Sequence, residues 1–508
     1  MSRQFNHRRA LVSAAAALAL GGVALLPAAP VKAATTIQVN VNNDNVGDTC
    51  PATCSIRAAL TQANSTSGDT ISIPANTYTL AQGQLVASAP MTITGAGAAT
   101  TIVDGAALSR VLQITAAGDV GMSGITIRNG KVVGVANNAA GAGIQVLGTL
   151  RLSSSLVANN TVAVTGSVPS SPNGAGIAGD STTSSVTLTN VNVTGNAGSS
   201  TGTAFVGGGV GSRGTLTYNG GVVSNNVASL SPGDGFGEGG GIGIMQGTAS
   251  LAGLDIHDNT SGGGGGGVDE AGPATLSNST LHGNHAKSTN DDGGGWLTDG
   301  SPDTFTNVTI VGNDSVRGGG GVTDYSGGST FVNDTIPDNT AATSGGGLES
   351  GTLRGATKVT GTILSANTPG NCAVVQAGVI TSKGSNIDSG TTCGFAASGD
   401  KSSTDPKLGP LQNNGGPAPT RAITSSSPAF DADFATCPPP ATDEVGTSRP
   451  QGARCDIGAF EAVLAVTTTP TPAVGWGGLG GAAVILVVLG AAVLAGGTRR
   501  WRRPVRTQ

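Results

Sequence analysis

Three histidines stand close together in the chain: His257, His282 and His285. His257 and His282 each lie two residues ahead of an asparagine, Asn259 and Asn284, within phrases that resemble one another. If those phrases stack as neighbouring strands, the two imidazoles come to about 5 Å from each other, with Asp258 and His285 nearby. Imidazole and carboxylate together suit a divalent transition metal, and two exposed turn histidines are the plainer reading. A second set follows runs of glycine: Asp269 and Glu270, Trp296 and Asp299, Asp324 and Tyr325, and Glu349. Pointing outward on successive units, these would form one strip, and acid beside aromatic suits sugar recognition. A uronate lyase would need calcium on such carboxylates and an Arg or Lys base, and no basic residue recurs at matching offsets. A hydrolase would need two carboxylates across a cleft. Between residues 201 and 360 there are 15 acidic and 5 basic residues, a net charge near −10, for which plain solubility is also an account. No required cofactor follows; calcium or a transition metal is the expectation if any ion binds.

What positions these groups is a repeat of about thirty residues. Its anchor is an asparagine: Asn160, Asn196, Asn226, Asn259, Asn284, Asn313, Asn339 and Asn367. Three residues earlier stand Val157, Val193, Val223, Ile256, Leu281, Ile310, Ile336 and Leu364; eight earlier stand Leu152, Leu188, Tyr218, Leu251, Leu276, Phe305, Phe331 and Val359. Six earlier the residue is Ser, Asn or Gly, which reads as a bend between two short strands. Gly-Gly-Gly opens six units, at 207, 239, 265, 293, 319 and 345. Such units bury their apolar side only by stacking, which predicts an all-β, right-handed parallel β-helix with three short strands per rung over 71–368. The stacked asparagines would form a structural ladder of side-chain amides. A leucine-rich repeat fails, because the position two after the anchor holds Val162, Gly198, Ala228, Ser261, Ala286, Ser315, Ala341 and Pro369. Ahead of the repeats, Ser55 to Ala63 carries Ile56, Ala59, Leu60 and Ala63 at helical spacing and reads as a cap on the open strand edge, within an N-terminal segment 34–70.

Only 11% of the 508 residues are charged and the net charge is −5, which argues against a nucleic-acid binder. Arg3, Arg8 and Arg9 precede an apolar run from Ala10 to Leu26, so 1–33 reads as a signal peptide by the general or twin-arginine route, a retained N-terminal helix being the alternative. At the other end, 463–473 is an uncharged linker and 474–497 a transmembrane helix. Val474 to Ala495 alone spans about 33 Å at roughly 1.5 Å per residue. Arg499, Arg500, Arg502, Arg503 and Arg506 lie in the tail 498–508, which places it in the cytoplasm and the rest outside. Leu464 to Thr468 resembles a wall-sorting pentapeptide, an alternative to plain anchoring. In an exported chain, Cys50, Cys54, Cys372, Cys393, Cys437 and Cys455 suggest disulfides, and nearness favours 50 with 54, 372 with 393 and 437 with 455.

The stretch Cys54-Ser-Ile-Arg-Ala-Ala-Leu-Thr-Gln-Ala-Asn64, continued by Asp69 to Leu80, resembles the CSLREA domain of bacterial surface β-helix proteins. Residues 369–462 resemble the choice-of-anchor Q domain through Gly384 to Asp388, Asp405 to Pro417, Ser427 to Asp431, Arg449-Pro450 and Cys455 to Glu461. The resemblance implies a pectate-lyase-like β-helix, export and a C-terminal anchor, and no settled activity. The expectation is a surface-anchored protein for display, adhesion or binding, with the membrane and a polysaccharide or surface glycan as partners. An extracellular polysaccharide lyase or glycoside hydrolase is the runner-up.

Overall fold

The computed structural model describes residues 34–463 apart from 135–138, 166–172, 202–203, 229–236, 289–291, 352–353 and 435–436. Strands run parallel throughout three sheets of 20, 11 and 8 strands, and successive rungs pair residue for residue. The fold is a parallel β-solenoid. Its first pairing joins Thr36–Gln38 to Asp69–Ile73 and its last joins Ile387–Asp388 to Lys401–Ser402, so stacking runs through both boundaries drawn at residues 71 and 368.

Local rules account for each rung. The position six before the anchor is left-handed at Ser154, Asn190, Gly220, Gly253, Asn278, Asn307, Asn333 and Gly361, and this folds one long strand into two limbs. The two predicted apolar columns lie inside, from Val157 to Leu364 and from Leu152 to Val359, all but closed to solvent. Phe305 and Phe331 stack within the second column at 4.5 Å, and Trp296 meets Phe305 edge to face at 5.1 Å. Glycine is required in the triplets for a different reason at each place. Gly265 has a φ of +60°, a Cβ on Gly266 would stand 2.3 Å from the Gly294 carbonyl oxygen, and one on Gly267 would meet the Asn284 amide at 3.1 Å.

The anchor asparagines are hydrogen-bonded to one another without a break. Nδ2 of each donates to Oδ1 of the next, at 2.9 to 3.0 Å from Asn160 to Asn367. Asn371 extends the ladder at 2.9 Å and ends it on the Asp388 carboxylate.

One helix occurs among the described residues, Ile56–Ala63, capped by the Ser55 hydroxyl. Ile56, Ala59, Leu60 and Ala63 are buried in the main core, so the helix closes the first rungs. The cysteines pair as nearness suggested: 50 with 54, 372 with 393, 437 with 455. These bonds belong to an oxidising, extracellular setting. No helix among the described residues is long and apolar enough to cross a membrane. The leader 1–33, the linker from 464, the span 474–497 and the tail 498–508 lie outside the described residues.

Beyond the last rung the chain turns back as a strap across the long sheet. Thr280 Oγ1 lies 2.5 Å from the Pro419 carbonyl and 2.7 Å from Glu444, whose other oxygen meets Thr309 Oγ1. Asn307 donates to the Thr442 carbonyl, and the backbone N–H of Gly458 donates to Gly361. Beneath it Arg449 is sealed from solvent, donating to the Asp456 and Gly458 carbonyls and to Glu461 at 3.1 Å.

Candidate functional site

The acidic and aromatic residues do not form an outward strip. Strand register places Val268, Trp296, Val322 and Leu348 in one column, and all four point into the core. Trp296 is therefore a core residue, fully buried, and its indole N–H donates to Asp303 at 2.8 Å. The next column out holds Asp269, Leu297, Thr323 and Glu349. Segments that follow the ladder fold over it: Ser344 donates to Glu349, and Asp292 sits 3.3 Å from Arg317 while accepting from the Gly318 N–H. Glu270, Thr298, Asp324 and Ser350 form the third column, which alternation turns inward again. Of the expected strip only Asp299 is exposed and Tyr325 half-buried. An extended polymer cannot reach carboxylates folded into this interior or beneath these segments.

The inward column makes a polar seam inside the solenoid. Asp303 accepts from the Ala274 N–H, Trp296 and Thr298 at 2.8 to 3.0 Å. Asp324 accepts from Ser326, the Ser329 N–H and Thr357. Glu270 is wholly buried, and burial first, then the nearby Asp303 charge, pushes its carboxyl up to about 11. Burial also raises Asp303, to about 7. Glu270 thus keeps its proton at neutral pH. A carboxyl raised by folding contributes its full stability below the ordinary glutamate range and loses it as pH climbs toward the raised value. Glu270→Gln removes that loss. We expect equal urea midpoints for parent and variant at pH 4, and a gain of roughly 2 to 4 kcal/mol for the variant at pH 8. A variant no more stable than the parent at pH 8 contradicts the protonated seam.

The histidines lie elsewhere, on the outer face of the long sheet. His257 ends the strand Thr248–His257 and His282 ends Ala274–His282, in register. Their rings stack at 4.7 Å, 8° from parallel. His285 is set apart from them, paired with Asp314, whose hydrogen bond raises its pKa. Asp258 takes the left-handed turn after His257 and accepts from its Nδ1 at 2.9 Å. Asp255, which the repeat pattern did not single out, lies 3.0 Å from His282 Nε2. Its signal was the plain alternation of a strand, two residues before His257.

The first limb of the long sheet carries a different surface. Thr187, Thr217, Ser250, Thr275, Thr304 and Thr330 follow one another in register, half-buried or exposed, and the row ends on Arg151 at one side and Lys358 at the other. Thr215 and Thr248 form a parallel row, and Pro273 and Pro302 edge the shallow groove in which the rows meet.

No family model matches the chain, and no curated protein matches it. Among solved structures it is similar to the crystal structure of pectate lyase Pel9A, at 16% identity and a TM-score of 0.43, covering 85% of this chain and 97% of that one.

Proposed function

We propose that the chain is an exported, surface-held β-solenoid that binds an extended, neutral polysaccharide along the first limb of its long sheet, without turning it over. The hydroxyl rows carry this reading: donors and acceptors fixed at the strand spacing of about 4.8 Å over six rungs, with charge only at the two ends of the row, at Arg151 and Lys358. The motifs around Cys54 and Cys455, with their resemblance to surface-protein domains, support display outside the cell, as does the apolar span 474–497 ahead of five arginines. The membrane is then the second partner.

Threonine also favours exposed strands in its own right. The double variant Thr217→Val with Thr275→Val keeps the β-branched shape and removes two hydroxyls. The full chain in mild detergent should be retained on at least one of xylan, β-glucan and starch, weaker by about thirtyfold in the variant, at roughly 1 kcal/mol for each of the two hydroxyls lost. No reducing or unsaturated ends should appear. Release of such ends supports the lyase or hydrolase alternative, and unchanged retention of the variant removes the hydroxyl rows from the interaction.

A further inference from the structure

Asp255 and His257 stand two apart on one strand, so alternation puts both on the outer face, and His282 is the register partner of His257 on the next rung. One ring nitrogen of each histidine and one oxygen of Asp255 lie within 4.8 Å of one another. His282 Nε2 and Asp255 Oδ1 are 3.0 Å apart, a hydrogen bond in which the ring nitrogen donates, and an ion bound by both would take the place of that hydrogen. The side chains of His257, His282 and Asp255 are 21%, 24% and 18% exposed, so they are held by the sheet yet open on one side. The Asp258 carboxylate can only accept, so the His257 Nδ1 it contacts carries the hydrogen and Nε2 keeps its lone pair. The strap runs beside the group. Pro417 reaches 3.6 Å from where a Cβ on Gly253 would stand, and the Pro419 carbonyl meets Thr280, the register partner of Asp255.

We propose that Asp255, His257 and His282 bind a divalent late first-row metal ion of the zinc, cobalt and nickel type. Two nitrogens and one carboxylate oxygen suit these ions and disfavour calcium, which prefers oxygen throughout. Ligands about 2.1 Å from one ion stand at most about 4.2 Å apart, so small side-chain rotations close the present spacing. Three protein ligands on an open face leave outward positions for water or for an oxygen of a bound molecule. That makes the group an adhesion point with directional chemistry, independent of the hydroxyl rows. Asp258 is a positioning residue, since it sets the His257 tautomer and touches no ion.

The test is a cobalt(II) titration of the full chain in mild detergent, read by visible absorption and calorimetry. We expect one ion per chain with nitrogen ligation. Asp255→Asn, His257→Ala and His282→Ala should each weaken it by at least about a hundredfold, Asp258→Asn by about tenfold, as for loss of an outer partner. His285→Ala should bind as the parent does. His282→Gln keeps size and polarity, and with far-UV circular dichroism it separates a lost ligand from a lost fold. No saturable uptake, equal binding by parent and His282→Gln, or a loss in His285→Ala as large as in His282→Ala would each overturn the site.

Discussion

Ile310→Asp should unfold the rungs around it. Ile310 is fully buried, stacked on Leu281 in the column three before the anchor. A carboxylate there has no cation beside it, and taking it from water unpaired costs several kcal/mol before the lost apolar burial is counted. A domain's whole stability is about 5 to 15 kcal/mol, and in stacked repeats each rung depends on its neighbours. The loss should therefore spread along the stack, visible as a lower melting temperature and as faster amide exchange in neighbouring rungs. Ile310→Val, which removes one methylene, should cost only about 0.5 to 1.5 kcal/mol. An Ile310→Asp protein that melts with the parent would mean that this column does not face the core.

Arg449→Met should release the strap. The guanidinium is closed to solvent and is the cation among Glu461, Asp443, Asp456 and Asp433. Removing one partner of a buried pair costs about 3 to 5 kcal/mol, because the carboxylates left behind are neither paired nor hydrated. The size depends on pH in a defined sense. Burial raises Asp456 to about 6 and pushes Glu461, Asp443, Glu444 and Asp334 upward as well. Folded-state values above the unfolded ones mean that docking is strongest in acid and weakens as pH rises through about 6. Without Arg449 the carboxyls hold their protons still more tightly, so the variant's deficit should be large at pH 8 and much smaller at pH 5. Limited proteolysis between residues 405 and 462 reads this directly. A deficit that does not change between the two pH values contradicts the arrangement.

The sequence displayed what each rung must satisfy by itself. Positions three and eight before the anchor must be apolar, and the position six before it must tolerate left-handed backbone, so the columns from Val157 and Leu152 and the bends at Asn190 or Gly253 stood out as repeats. Trp296 was misread because a lone aromatic among acids suggests recognition, whereas its register partners Val268 and Val322 mark that column as core. Glu270 and Asp324 share a face one residue further along than an outward strip would need. Asp303 lies at a corner where no repeated frame predicts its neighbours. The strap was beyond reach for a physical reason: Glu444 meets Thr280 across 164 residues, and no local spacing encodes such a contact.

The asparagine ladder also has a direction. Every side-chain amide donates to the next asparagine's Oδ1 at higher residue number and to a backbone carbonyl of the preceding rung, while its own oxygen accepts from lower numbers, so the amide-to-amide bonds all run in one sense and their dipoles add along the stack. The hydrogen-rich end then carries a partial positive charge, and there Asn371 meets the Asp388 carboxylate at 2.6 Å. At the opposite end Asn160 Oδ1 accepts the Gly130 backbone N–H. The solenoid is in this respect a polar crystal one molecule wide. A rung can be inserted among the asparagines only in the same amide orientation, and the ladder, though not the strand stacking, ends where a fixed anion neutralises its terminal charge.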